Sequence, residues 1–405
     1  MICEHYMNNQ TQPFFFPMNN VIQDYAWGSS TSIESLFGIE NPSHKPQAEL
    51  WMGAHPNGCS SATFNDESIL LSDLINQDKA SFLSSVTAET FGELPYLFKV
   101  LAAEKALSIQ VHPNKQQAVD GYNKEEQAGI PLTAFNRNYK DNNHKPELVY
   151  ALTDYQAMNG FRDFNESISL FKSMNLKSIT HFVSAFEEQP NSMGLNVFFK
   201  NILSLSDDKK ETAINELMAY AKVQCDSPLF ALLVDLEIQY PNDIGLFTPL
   251  MLNVITLKPG QAMYLHACTP HAYIKGTGLE IMANSDNVLR AGLTPKYMDI
   301  DELMACTLFN VTPFDSLLMT PEVIAGGVNY PIPVDDFNFS VLEMVNALPL
   351  NTTSAEVLFA INSDMTVTHI SGQTVIVKKG HSVFIPAYTG QYILTSSGKV
   401  ARAYN

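Results

Sequence analysis

Two stretches of β pattern stand on either side of a helical block. This limits the chain to a β architecture interrupted by helices. Residues 20–160 carry short apolar runs broken by Gly, Pro and Asn, such as AELWMGAHPNG, LPYLFKVLAA, LSIQVHPN and KPELVYAL. These read as strands and turns with occasional short helices. Across residues 161–245 the period changes. FNESISLFKSMNLKSITHFVSAF, DDKKETAINELMAYAKVQ and SPLFALLVDLEIQY place apolar residues three and four apart, as amphipathic helices do. Asp207 and Asp208 suit a helix N-terminus, and Pro241 with Asn242 marks a stop. From about residue 246 the β pattern returns in LMLNVITLKPGQAMYLHACTPHAYIKG. The helical block is therefore either an insertion into one β domain or a separate lobe.

After residue 320 a loop-rich stretch leads into EVLFAI, TVTHI, TVIVKKG, HSVFIPA and QYILTS. Such short alternating runs form a compact β-sandwich or barrel. A chain of 405 residues exceeds one typical core. The expected division is a β domain from 1–160 with 246–320, a helical domain at 161–245 and a C-terminal β domain at 321–405. LKPGQAMYLHACTPHAY and VKKGHSVFIPAYTGQY share a basic residue, a Gly, a short strand and a Pro-containing turn. They read as a duplicated jelly-roll half-motif. The second copy keeps only His381 and offers no cluster of ligands, so the C-terminal domain is expected to carry no metal.

Net charge is −18. Phosphate backbones would be repelled, which argues against nucleic acid as a partner. An anionic ligand would need a local basic pocket. No apolar run approaches the length of a membrane span, and the polar start MICEHYMNNQ, with Glu4, does not resemble a secretory signal. Cys3, Cys59, Cys225, Cys268 and Cys306 are scattered, odd in number and without a CxxC pair. That argues against a disulfide framework or a thiolate metal site and fits a reducing cytoplasm.

The segment ALSIQVHPNK, residues 106–115, carries the clearest chemistry. Period two sends Gln110 and His112 to one face of a strand, and Ile109 and Val111 to the other. A Gln and a His on a buried face are costly unless something binds them. Either they make ordinary hydrogen bonds at a polar strand end, or they ligate a metal. Glu147, just after Pro146, opens an apolar strand. It is either a ligand or a hydrated strand-end carboxylate. His271 follows Pro270, whose turn would aim it rigidly, and His266 is its rival five positions earlier. Gln110, His112, Glu147 and His271 together offer nitrogen and oxygen without sulfur. That set suits zinc, with manganese, iron or cobalt also possible.

Longer motifs carry a specific resemblance: QDYAWGS at Gln23, AELWMGAHPNG at Ala48, LFKVLAAEKALSIQVHPNK at Leu97 and NHKPELVYAL at Asn143. NGFR at Asn159, TPHAYIKGTGLEIMANSDNVLRAGLTPK at Thr269 and YMDIDEL at Tyr297 extend it across most of residues 20–305. Through them the chain resembles the type I mannose-6-phosphate (phosphomannose) isomerase family of cupin-fold zinc enzymes. The resemblance implies a mainly β protein: a cupin jelly-roll catalytic barrel, a helical lobe and a second jelly-roll-like domain. It also implies one zinc per chain, held by Gln110, His112, Glu147 and His271, and it makes Arg290 the active-site arginine. From residue types alone, SDNVLRAGLTPK reads as a polar loop, in which Arg290 and Lys296 could grip a sugar phosphate. Ser108 and Lys145 flank ligand residues and could touch substrate. Glu280 is a candidate proton shuttle, with Asp286 near it in sequence. Trp27 and Tyr273 could shape the sugar pocket. Cys268 and Thr269 depart modestly from the family pattern, away from the implied ligands.

The expected activity is aldose–ketose isomerisation of mannose 6-phosphate and fructose 6-phosphate through a cis-enediol. The alternatives are another cupin sugar-phosphate isomerase, or a metal-stabilised sugar-phosphate sensor without turnover.

Overall fold

The computed structural model describes residues 12–64 and 67–405. The polar start at residues 1–10, with Cys3 and Glu4, lies outside them. Strands Tyr155–Phe161 and Leu252–Leu257 flank the helical block in sequence and pair antiparallel with each other. The block is therefore an insertion between two adjacent strands. Its helices run Phe164–Met174, Thr180–Glu188, Ser192–Leu203, Asp207–Val223 and Pro228–Gln239. The stop at Pro241 and the start at Asp207 fall where the breaker and acidic residues place them, whereas the helix at Ser192–Leu203 is not evident from spacing. Phe171, Phe186, Phe198 and Leu233 pack in one cluster with Ile109, Val111 and Phe161. The insertion thus shares its core with the β domain.

That domain is built on a ten-stranded sheet whose centre is the strand His271–Ala283. Residues 271–275 of this strand pair with Tyr155–Phe161, while residues 276–283 pair with Tyr96–Ala103. The change of partner occurs at Gly276, with φ of 128°. A Cβ there would lie 2.5 Å from the Asp154 carbonyl oxygen. Only glycine allows the conformation and the close approach together, so Gly276 lets one strand serve both walls of the barrel.

The C-terminal unit contains Asn338–Glu343, Glu356–Ala360, Ser382–Ile385 and Lys399–Tyr404 in a nine-stranded sheet. Strand Phe16–Asn19 joins this sheet by pairing with Ser382–Ile385, and Ser61–Phe64 follows it. Phe16–Asn19, Ser61–Phe64 and Glu67–Leu70 therefore extend the C-terminal sheet, while Val21–Gln23 and Glu49–Met52 between them belong to the ten-stranded sheet. The sequence echo corresponds to equivalent turns: Gly260 and Gly380 both have positive φ, 94° and 78°, and each precedes a four-residue strand. Inside the second unit, buried Glu356 accepts hydrogen bonds from Arg402 Nε at 2.8 Å and Tyr392 Oη at 2.7 Å. His381 is exposed on its turn, with Nδ1 3.1 Å from the Lys379 carbonyl oxygen. Among the described residues no helix is long and apolar enough to cross a membrane.

Candidate metal centre and active site

Strand pairing brings the proposed ligands together from separate parts of the chain. The short strand Gln110–Val111 lies between His271–Ala283 and Leu289–Arg290, so His271, Gln110 and Arg290 stand side by side. Ile109 and Val111 are fully buried in the core, as their alternation requires. His112 follows at the strand end, before Asn114 caps the helix Lys115–Gln127 with a reciprocal bond to Gln117. Glu147 begins the strand Glu147–Ala151.

His112 Nδ1 lies 2.7 Å from the Asn287 carbonyl oxygen, and His271 Nδ1 lies 3.0 Å from that of Thr269. Each Nδ1–H is therefore a donor, which leaves each Nε2 with a free lone pair. Both Nε2 atoms face Glu147: His112 at 3.4 Å from Oε1, His271 at 3.4 Å from Oε2. His112 Nε2 is buried and has no hydrogen-bond partner. The three side chains are 1–3% exposed, and their ligand atoms lie within 4.8 Å of one another. Two donors at zinc-bond length from a shared tetrahedral ion stand about 3.4 Å apart, so this group fits zinc. Gln110 lines the same narrow cavity, of about 60 Å³, with Lys99, Lys145, Tyr273 and Glu280. Its Nε2 lies 3.3 Å from Ser108 Oγ, which orients the amide. His266 sits elsewhere: its ring packs edge-on against Tyr264, and it lines a separate, larger cavity of about 450 Å³.

Burial, reinforced by the Lys145 charge, pushes the His112 imidazole from 6.5 down to about 4. Burial opposes ionisation of Glu147, yet Lys145 and His112 hold its carboxyl well below the usual range. Lys145 Nζ is 2.9 Å from Glu147 Oε1. Neutral histidines and an ionised carboxylate are the forms a metal needs. A depressed folded-state pKa stabilises the fold above the unfolded value and stops doing so as pH falls through the folded one. Metal-free protein should therefore lose stability as pH drops from 6.5 to about 4 through His112. Thermal melts across that range check this, and the His112→Gln variant should show a shallower slope.

Sequence models of three domains match this chain: the type I phosphomannose isomerase catalytic domain over residues 15–164, its helical insertion domain over 171–252, and the mannose-6-phosphate isomerase cupin domain over 327–405. Mannose-6-phosphate isomerase of Salmonella typhimurium is 46% identical over 95% of this chain and 98% of its own length. The chain belongs to the type I phosphomannose isomerase family. The human mannose-6-phosphate isomerase is 34% identical over 93% of this chain and 94% of its own. A zinc-bound crystal structure of mannose 6-phosphate isomerase superposes with a TM-score of 0.92 at 44% identity, covering 97% of this chain and all of that one. The fold is accordingly the family's cupin barrel with a helical insertion and a second cupin domain.

The phosphomannose isomerase motif SDNVLRAGLTPK is not the loop that its polarity suggests. Leu289–Arg290 is a strand, and Asn287, Leu289, Ala291 and Leu293 are buried. Gly292, with φ of 126°, backs onto Gly245, where a Cβ would come within 2.5 Å of the Gly245 Cα. This contact and the pairing with Gln110 fix Arg290 beside the metal group. Of the four arginines, Arg137, Arg162 and Arg402 pair with carboxylates. Among the described residues Arg290 has no such partner. Burial lowers the pKa of Lys296, and the nearby Arg290 charge lowers it further.

Tyr273 is buried in the cavity with its hydroxyl unpartnered, and Trp27 packs against the same cluster. The residues lining the cavity do not include Asp286; its carboxylate meets His55 Nε2 at 3.5 Å and Asn57 Nδ2 at 2.9 Å. Glu280 is an ion-pair partner of Lys99, at 3.0 Å.

Lys99 and Asn287 were not evident as site residues. Lys99 is the one charged residue in the fully buried strand Tyr96–Ala103, and that isolation was the available signal. Its Nζ lies between Glu280 and Glu49, the latter at 3.7 Å. Burial works against the charge, but the two carboxylates raise its pKa overall. Asn287 is fully buried, and its amide bonds Lys140 N at 2.6 Å, the Asp141 carbonyl at 2.8 Å and the Asn143 carbonyl at 2.9 Å. Its backbone meanwhile holds His112, so one residue orients a ligand and the segment before Glu147.

Proposed function

We infer that this protein is a zinc-dependent aldose–ketose isomerase interconverting mannose 6-phosphate and fructose 6-phosphate. The observation that carries the reading is the buried His112, Glu147 and His271 group in a chain 46% identical to a mannose-6-phosphate isomerase. The two sugars differ in which of C1 and C2 is the carbonyl. Interconversion needs the open chain, loss of the proton beside the carbonyl, a cis-enediol, and return of the proton to the neighbouring carbon. Charge developing on oxygen must meet fixed cations or donors. Gln110, His112, Glu147 and His271 would hold the zinc, which when bound supplies a Lewis acid toward sugar oxygen.

The remaining chemistry falls to the chain's own side chains. Arg290 has no carboxylate partner among the described residues and stands beside Gln110, so it can meet negative charge on the reacting sugar or its phosphate. Lys296 adds a second cation, and Ser108 and Lys145 border the ligands. Burial raises the Glu280 carboxyl above the ordinary carboxylate value, the direction that suits a carboxylate that exchanges a proton with substrate. Lys99 Nζ, hydrogen-bonded to Glu280 Oε2, stabilises its ionised form between those transfers. Tyr273 lines the cavity, and Trp27 packs behind it in the same apolar cluster. Asp286, engaged with His55 and Asn57, would influence the site only indirectly. Phosphate binding far from C1 and C2 positions the sugar.

The working units are 1–160 with 246–320 for catalysis, 161–245 as the helical insertion, and 321–405 as a metal-free cupin domain. The strong negative charge opposes nucleic-acid binding. Cys59, Cys225, Cys268 and Cys306 are free thiols, which supports a cytoplasmic location.

Purified active protein should contain one zinc per chain, chelation should abolish isomerisation in a coupled assay, and zinc should restore it. His381→Ala should leave the metal count unchanged. Full activity without stoichiometric metal would defeat the reading.

A further inference from the structure

The segment between Tyr139 and Glu147 contains no helix or strand, yet it must hold Lys145 against a metal ligand. Residues 140–143 are fastened by the Asn287 amide. Among the described residues, His144 and Lys145 make no backbone hydrogen bond. The next residue, Pro146, accepts a backbone hydrogen bond from Ala283 N at 3.1 Å, and a side chain from the C-terminal domain meets His144. Asp336, between the strands Gly327–Tyr330 and Asn338–Glu343, is 5% exposed. Its two oxygens lie 3.0 and 2.9 Å from one atom, His144 Nε2. No other hydrogen-bond partner of this carboxylate occurs among the described residues. A buried carboxylate with a single partner is costly unless that contact is held.

We propose that Asp336 is a positioning residue for the isomerase site: it anchors His144 and, through the adjoining peptide, places Lys145 beside Glu147. The metal-free domain thereby completes the catalytic domain. The proposal rests on the reading of Glu147 and Lys145 as active-site residues. Asp336 touches neither metal ligand nor substrate, so its effect must pass through His144.

The test combines kcat, KM, zinc content and thermal midpoint for Asp336→Ala, Asp336→Asn, His144→Ala and the Asp336→Ala/His144→Ala pair. Loss of a partner that orients site groups costs about tenfold in activity. Asp336→Ala should lower kcat by about that factor, with zinc retained and KM within about twofold, because misplacement weakens transition-state contacts most. Asp336→Asn keeps an acceptor for Nε2–H and should recover most of kcat. The paired substitution should be no worse than His144→Ala alone, since both remove one link.

Wild-type kcat in Asp336→Ala, or in His144→Ala if the first does not fold, would overturn the proposal. So would losses that multiply in the pair, or an Asp336→Asn enzyme as impaired as Asp336→Ala. Loss of zinc from Asp336→Ala would also overturn it, by showing that Asp336 supports the ligand set rather than Lys145. The isomerase reading itself fails on a different result, a wild-type enzyme that turns over without zinc.

Discussion

His112→Ala should strip metal and activity together. The imidazole is 1% exposed, its Nδ1 is fixed on the Asn287 carbonyl, and its Nε2 has no partner except the space shared with Glu147 and His271. Alanine removes one of the two imidazole donors and leaves a weaker, more open donor set for the ion. Without the metal and its neighbouring ligand, charge on the sugar oxygen goes uncompensated. A fall of about three orders of magnitude in kcat is expected, at the upper end for loss of a stabilising group. His271→Ala should behave alike, and both should show substoichiometric zinc by metal analysis. His266→Ala is the control, because that ring packs on Tyr264 outside the ligand group. A zinc-loaded His271→Ala beside a zinc-free His266→Ala would reverse the assignment.

Arg290→Ala should retain zinc and fold while losing turnover. Arginine is not a ligand, and the strand position of residue 290 depends on backbone pairing and on Gly292 rather than on the guanidinium. With no carboxylate partner among the described residues, the cation is available for the substrate. If it meets charge that grows toward the enediolate, kcat and kcat/KM should fall equally, by about a hundredfold. If it grips phosphate equally in ground and transition states, KM should rise with kcat little changed. The first outcome is the expected one, since Arg290 stands directly across from Gln110. Arg290→Lys should recover little where two parallel hydrogen bonds are needed. Near-normal kcat and KM in Arg290→Ala would remove it from the active site.

The β–helix–β order, the start at Asp207, the end before Pro241 and the second jelly roll were legible because they follow from local periodicity and breakers. The candidate ligands Gln110, His112, Glu147 and His271 could be picked out because they are polar residues set against apolar strands, in motifs that carry the family resemblance, and the structure brings His112, Glu147 and His271 together. What was not legible depends on tertiary placement. SDNVLRAGLTPK looks polar along the chain, but Asn287 is buried by wrapping the 140–143 segment around its amide. Asp336 sits in VDDF, a stretch with the composition of any turn, and its contact lies 192 positions away. Phe16–Asn19 gives no sign of its partner, since pairing with Ser382–Ile385 is set by where the C-terminal sheet ends. Lys99 was readable in principle: an ammonium in an otherwise apolar buried strand must have anions waiting on neighbouring strands.

The insertion between Tyr155–Phe161 and Leu252–Leu257 has a consequence for biosynthesis. Gln110, His112 and Glu147 leave the ribosome before the helices, but His271 emerges only after all of them. With the proposed ligand set, a nascent chain carries an incomplete chelate while the whole helical block is made. Its pairing strand His271–Ala283 is also missing, so the barrel wall stays open. Capture of the ion must then come late, once distant segments have docked, and the slow non-local closure of the sheet sets when it occurs. Zinc scarcity should accordingly trap a nearly complete chain with its helices formed, rather than an early fragment.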